Sequence, residues 1–527
     1  MARNNNGNGE KVKSMESWIW DAACSIRGAA DAARFKDYIL PLIFVKRLCD
    51  VFDDEIDRIA EKVKSRTRAL QLVERDKSLV RFYLPVKPKD PEKERTWDVI
   101  RTLSDKIGQR LTDILREIAR ENKDLQGIID RVDFNATTHG QRDIDDDRLS
   151  KLIEKIAEKR LGLKDVEPDI IGRSYEYLIR KFAKGSGQSA GEFYTPTEVG
   201  FIIAKIMDAE PGMEIYDPCC GSGSLLIKCE LVVEEKMSLR SKEKYAPLQL
   251  HGQEFIASTW AMSKMNMVIH DMEGEIEIGD TMRNPVFKEG NKLRKFDRVV
   301  ANPMWNQSKD SLPYIDDDFF INDEMERFPA GPCGGKVDWG WIQHIYSSLN
   351  DTGKGGVVLD TGAASRGSGN QGSNKEKECR KWFVENDLIE GVIYLPENLF
   401  YNTSAPGIII FLNKAKQHKN KIYLLHAGKE FEKGDPKNYI AKDGIERISE
   451  TYKAFKEVEK FSRLVGKDEI VKNDYNISPS RYIQVNDAYT YRPIEEIVEE
   501  LREQEGEYVT IDAEVKNILT KLGFKYA

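Results

Sequence analysis

Between Glu214 and Leu412 the chain alternates short apolar runs with stretches of helical periodicity, and that rhythm admits few folds. The runs are Glu214–Tyr216, Leu248–Gly252, Ile276–Ile278, Arg298–Ala301, Gly356–Leu359, Ile389–Leu395 and Gly407–Leu412. Each has the length of a buried strand, and helical segments fall between them. The pattern predicts a doubly wound, Rossmann-like α/β sheet with helices on both faces. In such sheets ligands sit outside the carboxyl ends of the strands, where the strand order reverses. Residues that directly follow the runs are therefore the first candidates for chemistry.

The flanks read differently. Trp18, Ala22, Ala29, Ala33, Tyr38, Leu42, Val45 and Leu48 recur at helical spacing, with Pro41 expected to break one helix from the next. Leu84–Pro88 with Pro91 reads as an extended connector, and helices are expected over Val99–Ile118, Arg148–Arg160 and Ile170–Phe182. Beyond residue 430 the chain is more polar, with helical pieces at Ile448–Leu464 and Pro493–Glu505. The expected organisation is an all-helical N-terminal domain over 1–165, the α/β domain over 166–430, and a mostly helical C-terminal region over 431–527.

At 527 residues the chain exceeds what one ordinary core holds, so several domains are expected. Nothing reaches the apolar length of a membrane span and no signal-peptide pattern opens the chain. Seven scattered cysteines form neither a disulfide framework nor a zinc-type spacing. A reducing cytoplasm, no membrane and no metal are the expectations. The net charge of −8 argues against a chain that grips nucleic acid unaided, because phosphate contacts dominate such affinity. If the substrate is DNA, another subunit supplies much of the grip.

After the first run comes Asp217-Pro218-Cys219-Cys220-Gly221-Ser222-Gly223, a tight turn opening a helix over Ser224–Val233. Glycines there let the backbone approach a ligand closely. The turn lacks the third glycine of a dinucleotide fingerprint and the Lys-Ser/Thr pair of a phosphate loop. A methyl donor, whose carboxylate can use the same amide-rich setting, fits it. Glu254 ends the next run, where an acid reaches a ribose diol or caps a helix. Asp280 and Thr281 follow the third run. They can meet an adenine ring, or Asp280 can cap the segment at Met282. Upstream, Glu192-Phe193-Tyr194-Thr195-Pro196-Thr197 precedes a helix over Glu198–Met207 that Thr195 or Thr197 is expected to cap.

The fourth run delivers Asn302-Pro303-Met304-Trp305. An amide oxygen and a backbone carbonyl side by side can accept both hydrogens of an exocyclic amino group and localise its lone pair on nitrogen. Trp305 offers a flat face for a base that has left the duplex. Asn-Pro after a strand is also an ordinary turn. The aromatic insertion from Ser308 to Lys354 reads equally as a lid or a packed satellite cluster, and Asn398–Tyr401 as a lining of the base pocket.

Taken in order, these motifs resemble the modification subunit of type I restriction-modification systems, an amino-methyltransferase family. The likeness includes Leu40–Leu48, Ile171–Leu178, Gly191–Thr197 as the family's first donor-binding motif, Asp217–Gly223 as its glycine motif and Glu254 as its ribose-binding acid. It implies N6-adenine methylation of double-stranded DNA with S-adenosyl-L-methionine. It also implies a specificity subunit that reads the sequence, a restriction subunit in the full assembly and two copies of this chain per complex. Asn302, Pro303 and Trp305 are its implied catalytic residues. The family's usual segment is Asn-Pro-Pro-Phe or Asn-Pro-Pro-Tyr; Met304 and Trp305 depart from it. Trp also occurs there in N4-cytosine enzymes, so cytosine is an alternative target, and an inert assembly subunit is an alternative class.

Overall fold

The computed structural model describes residues 6–25, 36–138, 140–166, 195–240, 245–308, 312–370, 374–400, 403–434 and 437–485, with isolated positions among 172–181, at 372 and among 498–521. Met1–Ile483 form one compact unit and Gln484–Ala527 a second.

The first unit begins with helices α1 (Asn6–Cys24), α2 (Lys36–Val63), α3 (Arg66–Arg75), α4 (Thr96–Arg101), α5 (Ile107–Glu121) and α6 (Asp146–Ala157). Helix α5 shows why they form. Ile107, Leu111, Leu115 and Ile118 lie on one buried stripe, while Arg110, Asp113, Glu117 and Arg120 face water. Side chains close the ends: Ser65 accepts from the Arg68 N–H before α3, and Asp145 from the Arg148 N–H before α6. Two expectations change. Pro41 lies inside α2 rather than ending a helix. Its ring forfeits one backbone bond, and the burial of Leu40, Leu42, Ile43 and Phe44 around it carries the helix through. The helix expected over Val99–Ile118 is divided, because Lys106 adopts a left-handed φ of 48° just before α5. Leu84–Pro88 is a connector, as its prolines require.

The sheet has nine strands: β1 (Glu214–Asp217), β2 (Gln249–Glu254), β3 (Gly274–Ile278), β4 (Phe296–Ala301), β5 (Leu349–Asp360), β6 (Ile389–Tyr394), β7 (Gly407–Asn413), β8 (Lys421–His426) and β9 (Ser462–Gly466). In space they run β9-β8-β6-β7-β5-β4-β1-β2-β3. Strands β3, β2, β1, β4 and β5 pair in parallel with one another in that order, while β7 is antiparallel to both β5 and β6. The fold is thus α/β with a mixed sheet. An antiparallel return needs no crossover helix, and the link from β6 to β7 has none among its described residues.

Helices α7 (Thr197–Met207), α8 (Ser224–Arg240), α9 (Ala257–Ile269), α10 (Asp338–Ser347), α11 (Lys375–Glu385) and α12 (Lys442–Lys453) complete the layers. Adjacent glycines of β5 register the two faces. A Cβ on Gly356 would meet Met207 of α7, and one on Gly355 would meet Ile345 of α10. The sheet does not stop at residue 430. Strand β8 is buried, and β9 pairs with it as an edge, so the helix expected over Ile448–Leu464 ends early at Lys453. Ser462 and Val465 are buried and Arg463 is exposed, so the burial of this short edge strand follows no two-residue period. Of the helix expected over Ile170–Phe182, only Gly172, Ser174–Leu178 and Lys181 are described, and they are helical. Most of Pro493–Glu505 lies outside the described residues.

The helical region is fused to the sheet through α9, whose Ala261, Met262, Met265 and Ile269 belong to the same apolar cluster as Ile39, Ile43 and Leu149. A buried ion pair adds a second tie. Lys228 of α8 donates to both oxygens of Glu176 at 3.1 Å and to the Ser224 hydroxyl at 2.8 Å. Breaking a buried pair strands one charge and costs about 3–5 kcal/mol, whereas replacing both partners by apolar groups is nearly neutral. Lys228→Met is therefore expected to lower the melting temperature, and Lys228→Met with Glu176→Leu to recover most of the loss in thermal unfolding.

Candidate active site

Strand order reverses between β1 and β4. From there the chain winds outward to β2 and β3 on one side and to β5 on the other. Asp217–Gly223 leaves the end of β1 and Asn302–Trp305 the end of β4, so both motifs border the crevice at the switch point.

On one side the glycine turn wraps against the end of β2. Gly221 and Gly223 take φ of 54° and 75°, which glycine adopts without strain. The Gly221 N–H donates to one Glu254 carboxylate oxygen at 3.0 Å and the Ile256 N–H to the other at 2.8 Å. The Cys220 N–H donates to the Gln253 carbonyl at 3.0 Å. Glu254 is thus held by a backbone donor on each carboxylate oxygen. Phe255, next to it, is 69% exposed, an open aromatic face at a strand end where alternation along a buried sheet would hide it. Sequence reading missed Phe255, although its place directly after the acid was the signal.

Asp217 is buried and accepts the Cys219 N–H at 3.0 Å; no cation among the described residues pairs with it. Burial, reinforced by the nearby Glu254 charge, pushes its carboxyl up to about 8. A buried acid with backbone donors and no protein cation fits a positively charged ligand. Such a set suits S-adenosylmethionine, with its sulfonium and ammonium groups. Asp280 does what its capping alternative requires: one oxygen accepts the Met282 and Arg283 N–H groups, while the other takes the Tyr314 hydroxyl. Thr281 donates its hydroxyl to the Pro218 carbonyl at 2.5 Å, tying that segment to the glycine turn. Ser222 accepts from Asn266 of α9 at 3.0 Å through its carbonyl.

On the other side Asn302 is buried. Its amide nitrogen donates to the Thr195 hydroxyl at 3.0 Å, and its amide oxygen accepts the Trp305 indole N–H at 3.2 Å. Its backbone N–H lies against the Cys219 sulfur. Three motifs distant in sequence therefore meet at this one residue. Pro196 itself stands at the cap of α7, so neither Thr195 nor Thr197 caps it, and Thr195 is directed to Asn302 instead. Glu192, Phe193 and Tyr194 lie outside the described residues. The Trp305 ring meets Phe400 edge-on, centroids 4.6 Å apart, which joins Asn398–Phe400 to the site; Tyr401 is outside the described residues.

The insertion is a packed cluster in its described part. Phe319, Phe320 and Phe328 pack edge-on or tilted, and the Arg327 guanidinium covers Phe328 at 4.8 Å. Its next stretch clamps the turn after Trp305. Asn306, at φ 57°, donates its N–H to Asp338 at 3.0 Å, and its side-chain oxygen accepts from Arg366 at 2.9 Å. Arg366 also grips Asp338, Asp360 and Glu376. Burial raises the Asp338 carboxyl and Arg366 opposes that rise. This clamp has no local sequence signal, since its members come from separate elements.

Residues 166–490 match a family model described as N-6 DNA Methylase, and residues 15–156 one described as the HsdM N-terminal domain. The chain belongs to the N-6 DNA methylase family. The methylase chain is 31% identical to the type I restriction enzyme MjaVII methylase subunit of Methanocaldococcus jannaschii, over 94% of this chain and 82% of the relative. It is 29% identical to the MjaIX methylase subunit of the same organism, over 98% and 92%. The structure of a type I restriction-modification system methyltransferase subunit from Streptococcus thermophilus superposes with a TM-score of 0.71 at 26% identity, covering 90% of this chain and all of that one. The protein is a DNA methyltransferase subunit of the type I kind, and S-adenosylmethionine is its methyl donor.

The Asp217 carboxyl gives the methylase a pH signature. Between about 4 and 8 the folded chain keeps a proton that the unfolded chain has released, so this group's contribution to stability falls as pH rises through that window. Asp217→Asn is expected to flatten that slope in melting temperatures measured from pH 5 to 9; an unchanged slope would assign the dependence elsewhere.

Proposed function

We propose that this chain methylates the N6 amino group of adenine in double-stranded DNA, as the modification subunit of a complex with a specificity subunit, a restriction subunit and a second copy of itself. The observation that carries the reading is the buried Asn302 carboxamide, held between the donor side and the target side of the switch-point crevice. S-adenosylmethionine supplies a methyl group on a positively charged sulfur that leaves as a neutral thioether.

The chain's own residues do the rest. Asp217, Gly221–Gly223, Glu254 and Thr195–Thr197 bind and orient the donor, together with Glu192, Phe193 and Tyr194. Asp280 and Thr281 hold its adenine, against which Phe255 stacks. Asn302 and Pro303 accept the two hydrogens of the target amine through the amide oxygen and the Pro303 carbonyl. Nitrogen then keeps its lone pair in line with the methyl carbon, and orientation with charge placement supplies the acceleration. Among the described residues the Pro303 carbonyl accepts no hydrogen bond, so it is open to the amine. After transfer the surplus amine proton leaves along the same acceptors to water. No nucleophilic side chain is needed.

DNA is held jointly. The net charge of −8 gives this chain little intrinsic grip on phosphate, so sequence choice and most affinity come from the specificity subunit. From Ile494 to Leu522 core-type positions recur at alternating steps of three and four, a coiled-coil spacing with Gln504 as its one polar member. Leu501, Tyr508, Ile511 and Val515 on that seam are exposed, which suits docking to partner helices. No helix among the described residues is long and apolar enough to cross a membrane, and a cytoplasmic location is part of the proposal.

Asn302→Ala should abolish tritiated-methyl incorporation into unmethylated DNA while donor binding, read by calorimetry, persists. Turnover at the wild-type rate would sink the reading, and label in cytosine would move the target to N4-cytosine. The isolated chain should bind DNA weakly and gain affinity with its specificity partner; tight sequence-specific binding alone would contradict the shared grip.

A further inference from the structure

The assigned task of an aromatic residue at position 305 is to present a flat face to the flipped base. In this chain the ring is committed in another way as well. Its N–H points at the Asn302 amide oxygen at 3.2 Å, and its body is wedged edge-on against the buried Phe400 ring. The wedge depends on Gly407, the first residue of β7. A Cβ there would come within 2.9 Å of the far edge of the Trp305 indole and 2.7 Å of Phe400. The larger indole is seated in a slot that only glycine leaves open.

The orientation of the Asn302 carboxamide decides whether it can work. An amine offers two hydrogens and needs acceptors. With the amide turned over, NH₂ would face the amine, and two donors would meet. The Thr195 hydroxyl cannot enforce the right choice, because a hydroxyl accepts from the amide nitrogen in one orientation and donates to the amide oxygen in the other. An indole N–H can only donate, so the atom facing it is the oxygen. The turned amide would lose this bond and set N–H against N–H.

We infer that Trp305 is a positioning residue whose indole N–H locks the Asn302 carboxamide with its oxygen available to the target amine. The oxygen has two lone pairs, so one holds Trp305 while the other serves the amine. Phenylalanine at this position carries no donor and cannot set the amide. The inference rests on the reading of Asn302 as the amine acceptor.

The test uses the chain assembled with its specificity subunit, on unmethylated DNA, with saturating S-adenosylmethionine. Trp305→Phe keeps an aromatic face and removes the N–H. The single-turnover methyl-transfer rate is expected to fall about tenfold, with the donor dissociation constant and the half-saturating DNA concentration unchanged. Benzothienylalanine at position 305, which carries sulfur in place of the N–H on a ring of the same shape, is expected to reproduce the loss. Wild-type rates in either variant would overturn the inference. So would weaker DNA binding with the saturated rate intact, because that pattern belongs to a stacking face alone. Asn302→Ala, run beside them, separates the two levels. If it is inactive while Trp305→Phe transfers at full rate, only the role of Trp305 falls. If Asn302→Ala is itself active, the acceptor reading falls with it.

Discussion

The parallel pairing of β1 with β4 is the constraint on which the site depends. Tyr216 lies opposite Val299, and the Glu214 N–H donates at 2.9 Å to Asp297, 83 residues away in sequence. Beneath the pairing, Tyr216 stacks on Phe296 with centroids 4.6 Å apart. Arg298 of β4 donates at 2.6 Å to the Met207 carbonyl, which pins the last turn of α7 to the start of that strand. A helix of eleven residues covers about 16 Å, close to the span of a five- or six-residue strand. Fixing one end of α7 at Arg298 therefore brings its other end, with Thr195, level with Asn302. The contact that joins donor and target sides is set by registry at the opposite end of the sheet.

Charge divides the labour at the crevice. Asp217, Glu254 and Asp280 gather at the strand ends, and the described partners of their oxygens are backbone N–H groups and one tyrosine rather than lysine or arginine. Such a pocket favours a cation and repels phosphate. A base can enter it, but the backbone that carries the base has to stay outside, so an acidic crevice and an extruded nucleotide are two sides of one requirement. It also explains how a chain with net negative charge can act on DNA. On the proposed reading the phosphate contacts lie on another surface, and the chemistry is done in the acidic crevice.

Much of this was legible in the residues. The inner strands announced themselves as apolar runs because burial on both faces removes polar alternation, and the motifs followed at their ends. What escaped was set by partners rather than by local pattern. Strand β9 is a short edge of five residues whose burial follows no two-residue period, so its sequence carries little strand signal. Pro41 reads as a helix stop, yet a single missing donor is a small loss against the packing around it. Thr195 reads as a cap because it precedes a helix, but its hydroxyl answers to Asn302, 107 residues on. Asp280 was readable as a cap, and the structure fills its second oxygen with Tyr314 from an insertion whose folding no local rule foretells.

The departure at Met304 and Trp305 illustrates how a motif can change residues and keep its geometry. A second proline would stiffen the turn after Asn302 by fixing φ. Met304 does not, and the turn is held from outside. Asn306 sits in the left-handed region, its N–H on Asp338, its side chain on Arg366 and its carbonyl on Lys336 at 3.2 Å. Arg366 is in turn anchored by Asp360 and Glu376, carboxylates from the end of β5 and from α11, so the clamp is tied to regular structure rather than to a loop. The indole then needs more room than a phenyl ring, which Gly407 provides, and returns a hydrogen bond that a phenyl ring cannot make. Rigidity lost along the chain at Met304 is recovered across it. The Asn302 amide is held at one end by that ring and at the other by Thr195.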